Sequence, residues 1–120
     1  WEMLRELLTE KGMLIVAVPN CSSYDAGRYG EYWAAYDVPR HLWHFTPVTI
    51  QQLASRHGFI MAARHPMPFD AFYVSMLSEK HRGSSCSFLK GMYAGTLAWF
   101  STLGRKERSS SMIYVFRKKR

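Results

Sequence analysis

The residue types best suited to chemistry cluster between positions 29 and 47. His41 and His44 stand three apart in Asp37-Val38-Pro39-Arg40-His41-Leu42-Trp43-His44-Phe45. An imidazole changes charge near neutral pH, so either histidine suits the role of general base or hydrogen-bond partner to an acceptor hydroxyl. The competing reading makes both of them structural pins that fix a long loop to the helix after it. Metal binding is a weaker rival, because a pair at this spacing with only Asp37 nearby makes a thin ligand set. Arg40 carries a planar fork that fits a carboxylate or phosphate; alternatively it pairs with Asp37. Tyr29, Tyr32, Trp33 and Trp43 would line a pocket for a flat or apolar molecule, or would simply be core. Tyr73, together with Phe69 and Phe72, follows a strand, where α/β folds place ligand-facing loops. Cys21 and Cys86 have no companion cysteine and no CxxC, and are read as free thiols in a reducing compartment.

These residues need elements to position them. Met3, Leu4, Leu7 and Leu8 form one apolar face and predict a helix over 2–10, stopped at Gly12. The unbroken apolar run 13–18 suits a strand covered on both faces, and Pro19-Asn20 ends it. Residues 21–45 show no clear period; a connection that long is usually a functional loop or hides a short helix, here expected over 31–36. Thr46-Pro47 starts a helix, as N-cap and first helical residue, and Gly58 stops it. A second strand is expected over 59–64, closed by His65-Pro66-Met67-Pro68. Helices follow over 69–81 and 86–103, the latter weakened by Gly91, Gly95 and Thr96. A last strand covers 112–116. The order is an α/β alternation.

The 120 residues make one domain or part of one. Apolar residues at 48%, aromatics at 15% and charged residues at 21% exclude intrinsic disorder, a collagen-like chain and a disulfide-dense mini-protein. No apolar run approaches the roughly 18 residues that cross a bilayer, and the opening WEMLRELLTEKG lacks the pattern of a secretory signal. The net charge is +7, with much of the excess in Arg105, Lys106, Arg108 and Arg117–Arg120. A basic end of this kind suits nucleic acid or anionic lipid, or else is a solvated terminus; without interleaved aromatics, nucleic acid is not the expected partner. Trp1 is not an initiator methionine, and no capping residue precedes the first helix, so the chain is expected to be a piece of something longer.

Two passages carry a family resemblance. Lys11-Gly12-Met13-Leu14-Ile15-Val16-Ala17-Val18-Pro19-Asn20 is similar to the stretch through the fifth strand of class I S-adenosylmethionine-dependent methyltransferases. It departs from them at Glu10-Lys11-Gly12-Met13, where the family usually has Pro-Gly-Gly. Asp37-Val38-Pro39-Arg40-His41-Leu42-Trp43-His44-Phe45-Thr46-Pro47, continued by Leu53, Gly58 and Phe59, resembles a segment of a bacterial subgroup close to ubiquinone-type O-methyltransferases.

The resemblance implies an α/β fold, the C-terminal half of a Rossmann-like methyltransferase sheet, with strands 5, 6 and an antiparallel strand 7. The last strand would lie between the other two, burying Ile113 and Val115 and leaving the first strand an open edge that invites a second copy. It implies a cytoplasmic enzyme that transfers a methyl group to a small-molecule acceptor. His41 and His44 would be catalytic, and Tyr29, Trp33, Arg40 and Tyr73 would bind the acceptor. S-adenosylmethionine would be the cofactor, but its glycine-rich turn and acidic ribose ligand belong to a half not present in residues 1–120, so this chain alone is expected not to bind it tightly. The alternatives are a non-catalytic binding module that keeps the half-fold, and a basic nucleic-acid-binding domain. A glycine-rich turn upstream separates the first from the enzyme, and a salt-dependent gel shift tests the second.

Overall fold

The computed structural model describes Trp1–Arg120. Three strands, β1 (Leu14–Pro19), β2 (Phe59–Met67) and β3 (Ser111–Lys118), form one sheet in the order β1-β3-β2. The last strand lies in the middle and runs antiparallel to both neighbours. Ser111 is therefore opposite both Pro19 and Met67, so β1 and β2 end together where β3 begins. Strand β2 runs three residues further than expected, through His65-Pro66-Met67. It is an edge strand, where a proline's missing N–H need not break the ladder.

The helices are α1 (Glu2–Leu7), α2 (Tyr24–Tyr29), α3 (Pro47–Arg56), α4 (Asp70–His81) and α5 (Ser87–Gly104). Helix α3 starts as its sequence dictates. The Thr46 hydroxyl accepts from the Thr49 amide at 3.1 Å, the Thr49 hydroxyl takes up the Thr46 amide at 2.8 Å, and Pro47 occupies the first turn. Gly58 ends it with φ at 78°, a conformation that side chains disfavour. The 21–45 connection is more ordered than its lack of period suggests. Ser23 caps α2 by accepting from the Ala26 amide at 3.1 Å, and two short 3₁₀ turns follow at Gly30–Tyr32 and Ala34–Tyr36.

Two apolar clusters result. One face of the sheet packs under α3: Ile50 and Ala54 meet Phe59, Met112, Tyr114 and Phe116. Trp1 closes this cluster edge-on, with ring centroids 5.6 Å from Phe59 and 5.8 Å from Phe116. The second cluster gathers Ala26, Tyr29, Trp33 and Ala35 against Val74 of α4 and Ala94 of α5.

The face of β3 that is buried reverses the expectation. Met112, Tyr114 and Phe116 are buried, while Ile113 and Val115 are only half-buried. Alternation requires one set to face α3 and the other to face away, and α3 sits on the tyrosine side. The opposite face, with Ile15 and Ile60 both exposed, carries no helix.

Burial has a consequence for alkaline stability. It pushes the Tyr114 phenol up to about 12 and also raises that of Tyr29, where the Glu79 carboxylate adds to the effect. A raised folded value favours the neutral form, so the stabilisation is whole below the ordinary value of 10.0 and is lost as pH climbs towards 12. Phenolate absorbance should show two of the seven tyrosines ionising late, together with loss of helical circular dichroism. Tyr114→Phe should make the alkaline transition shallower; an unchanged transition would contradict this account.

Candidate functional site

The end of β1, the start of β3, the second 3₁₀ turn with the loop after it and the first two turns of α4 surround a cleft of about 270 Å³. Asp37, Arg40 and His41 line one side, and Asp70, Tyr73 and Ser111 line the other. Asp70 accepts a hydrogen bond from the Ser111 hydroxyl, which ties the start of α4 to the start of the central strand. An adjoining hollow of about 210 Å³ is also lined by His41, Asp70 and Ser111. The structure thus brings three of the sequence-identified residues, Arg40, His41 and Tyr73, to one place.

The loop that presents them turns on Asp37. This residue takes a left-handed conformation, φ 40°, which aspartate tolerates better than most side chains. Its carbonyl accepts from the His41 amide at 3.0 Å. Its carboxylate lies 3.2 Å from Arg40 Nε. The Arg40 side chain is 83% exposed, and such a pair is worth no more than about 1 kcal/mol. Arg40 can therefore exchange Asp37 for an incoming anion at little cost. The His41 imidazole makes no hydrogen bond within the protein and is only half-buried. It is free to take a proton from a molecule in the cleft.

His44 is placed differently. Its Nε2 lies 2.9 Å from the Tyr36 carbonyl oxygen, which can only accept, so Nε2 carries the proton. Its ring meets Tyr36 edge-on at 5.1 Å, and Tyr36 meets Trp33 in the same way, also at 5.1 Å. His44 anchors the loop to an aromatic stack.

Tyr29 and Trp33 lie away from the cleft, in the core. Tyr29 is 3% exposed and donates its hydroxyl to Glu79 Oε1 at 3.1 Å. Trp33 is 1% exposed and donates Nε1–H to Asp25 Oδ2 at 2.8 Å. Helix α2 and the two 3₁₀ turns fold this aromatic face against α4 and α5, which removes both residues from the pocket wall. Trp43, in contrast, is exposed. Asn20 is also spent on structure. Its amide nitrogen donates to the carbonyls of Glu107 and Ser109 at 2.7 and 2.9 Å, and its side-chain oxygen accepts from the Ser22 amide and hydroxyl.

Sequence reasoning missed Asp70 and Asp25. The signal for Asp70 is an acid in the first turn of a helix directly after a strand. Asp25 is fully buried and accepts from Trp33 and, at 2.6 Å, from the Ser110 hydroxyl, joining α2 to the sheet. No three His, Cys, Asp or Glu side chains converge as metal ligands, and Cys21 and Cys86 are unpaired.

The basic residues form no single stripe. Lys118 pairs with Glu10 at 3.3 Å, and Arg64 pairs with Glu107. Arg105, Lys106 and Arg108 share a hollow of about 690 Å³ with Arg64 and Glu107. No helix is long and apolar enough to cross a membrane.

No protein-family model, curated protein or solved structure matches this chain.

Proposed function

We propose that residues 1–120 form the acceptor-side half of an S-adenosylmethionine-dependent methyltransferase that acts on a small molecule. The observation that carries this reading is the position of the cleft. It lies at the C-terminal end of β1, with the adjoining hollow reaching the end of β2 at Met67, where open α/β sheets bind ligands, and it holds an unpaired histidine beside an exchangeable arginine. The strand order, with an antiparallel last strand in the middle, supports the same reading. So do the bare sheet face and the open edge of β1, where the resembling fold would continue.

These residues do not fit the cofactor itself. Gly91 and Gly95 are used to bring α5 onto α4, and Gly58 ends α3. No glycine-rich turn joins a strand to a helix here. The work assigned to this chain is confined to the acceptor. Arg40 holds an anionic group of the acceptor, Tyr73 and the apolar wall at Ala34, Ala35 and Leu77 hold its body, and His41 takes the proton from its hydroxyl. Alignment of a nucleophile and removal of its proton are what a protein adds to group transfer.

Isothermal titration of this chain with S-adenosylmethionine should give no micromolar binding; such binding would overturn the division into halves. In the protein joined to its cofactor half, His41→Ala should lower kcat by roughly 10²-fold. His44→Ala should keep near-normal turnover and melt earlier. Normal turnover in His41→Ala would remove the base assigned here.

A further inference from the structure

Helix α5 is built inside out. Its inward side carries small residues: Gly91, Ala94, Gly95, Ala98 and Thr102 are all buried against the rest of the protein. Its large apolar side chains point outward. Phe88, Leu89, Tyr93, Phe100 and Leu103 are each 57–68% exposed, and Met92 is 38% exposed. At roughly 100° per residue these six fall within about 140° of the helix circumference, so they form one stripe along the length of the element. Single exposed apolar residues are ordinary, but a continuous stripe of this kind marks a contact surface.

Charge selects the occupant. No Asp or Glu occurs from Lys80 to Lys106, while Lys80, Arg82, Lys90, Arg105 and Lys106 all fall in that span. The cations flank the stripe at both ends: Arg82 follows α4, and Arg105 and Lys106 follow α5 directly. Arg108 lies in the same hollow as Arg105 and Lys106. A second copy of the chain seated on this stripe would bring like charges together. A surface of acyl chains beneath anionic headgroups would satisfy both features at once. The helix is not long and apolar enough to cross a membrane, so it would lie in the plane of the interface.

We propose that α5 is a membrane-surface helix that docks this protein on anionic phospholipid, its Phe88-to-Leu103 stripe in the acyl boundary and the flanking Arg and Lys side chains on the phosphates. The docking surface is distinct from the His41 cleft, so the two assignments stand or fall separately.

The test is flotation of the chain with vesicles of phosphatidylcholine containing about a third phosphatidylglycerol, compared with phosphatidylcholine alone. Binding to the anionic vesicles and little to the neutral ones is expected at physiological salt. Phe88→Ser with Phe100→Ser should weaken partitioning roughly tenfold or more, because each removes an apolar side chain from the boundary. Both positions are exposed, so folding should survive, and circular dichroism checks this; Leu103→Ser is the independent second variant. Arg105→Gln with Lys106→Gln should weaken the same binding severalfold and reduce its salt dependence. Failure to bind anionic vesicles overturns the proposal. So does binding that is indifferent to the serine variants, which would be adhesion by the basic terminus alone. A concentration-dependent dimer that the serine variants abolish, without vesicle binding, would assign the stripe to a second copy instead.

Discussion

Trp33→Ala is expected to remove most of the folding stability of this chain. The ring fills the cluster between α2, α4 and α5 and is 1% exposed. Truncating a buried aromatic costs about 3–5 kcal/mol through lost transfer energy and the cavity left behind. The indole nitrogen adds a second penalty, because it is one of two donors to Asp25, whose other oxygen, Oδ1, already has no partner. Leaving a buried acceptor short of a donor costs about 1–3 kcal/mol more. Domains of this kind have about 5–15 kcal/mol in total. Denaturant titration should therefore find Trp33→Ala largely unfolded or very close to it. Trp33→Phe separates the two contributions: it keeps most of the ring and loses the donor. A shift in Tm below about 5 °C for the alanine variant would mean that the helical cluster is not coupled to the rest of the fold.

Gly91→Val should also be severe, for a different reason. A Cβ at Gly91 would lie 2.5 Å from Met76 Cα and 2.8 Å from Met76 N, distances that no relaxed structure holds. The obstacle is backbone, so it cannot swing away, and the α4–α5 hairpin must open. Gly95, four residues on and therefore on the same face, approaches Phe72 in the same manner: an added Cβ would be 2.8 Å from Phe72 Cα. Overpacking of this kind costs about 3 kcal/mol, more than the roughly 1 kcal/mol that replacing a helical glycine can return. Gly27→Ala is the control with the opposite sign. An added methyl there meets nothing within 4 Å, and the change should stabilise α2 by about 0.5–1 kcal/mol. Thermal melts of the two variants should move in opposite directions. Stability of Gly91→Val equal to that of the parent chain would refute the close approach of α4 and α5.

The same glycines show how far local reasoning reaches. Taken one at a time, Gly91 and Gly95 only weaken a helix, because propensity is a property of the segment. Their use, to let two helix backbones touch, depends on what lies opposite, and no local pattern contains that. The outward apolar stripe follows from the same fact. Once small residues face α4, the phenylalanines and leucines of α5 have only the outside left.

Signals that act within a few residues were legible in the sequence. Thr46-Pro47 and Gly58 bounded α3, the run at 13–18 became β1 to within one residue, and the three strands, their helices and the α/β class followed from periodicity and punctuation. The middle position of β3 was expected only through the family resemblance, since pairing partners leave no mark in a strand's own period. Helix α2 was missed because six residues are too few to show a period, and only Ser23 announces it. Tertiary structure decided the rest. Alternation shows that Tyr114 and Ile113 face opposite ways, but the position of α3 determined which of them is core. Aromatic type admits both pocket and core, and the contacts of Tyr29 with Glu79 and of Trp33 with Asp25 placed those two in the core. The spacing of His41 and His44 made them look equivalent. The Tyr36 carbonyl occupies one imidazole and the fold leaves the other facing the cleft, because a hydrogen bond to a distant backbone depends on how the loop is folded and not on the order of its residues.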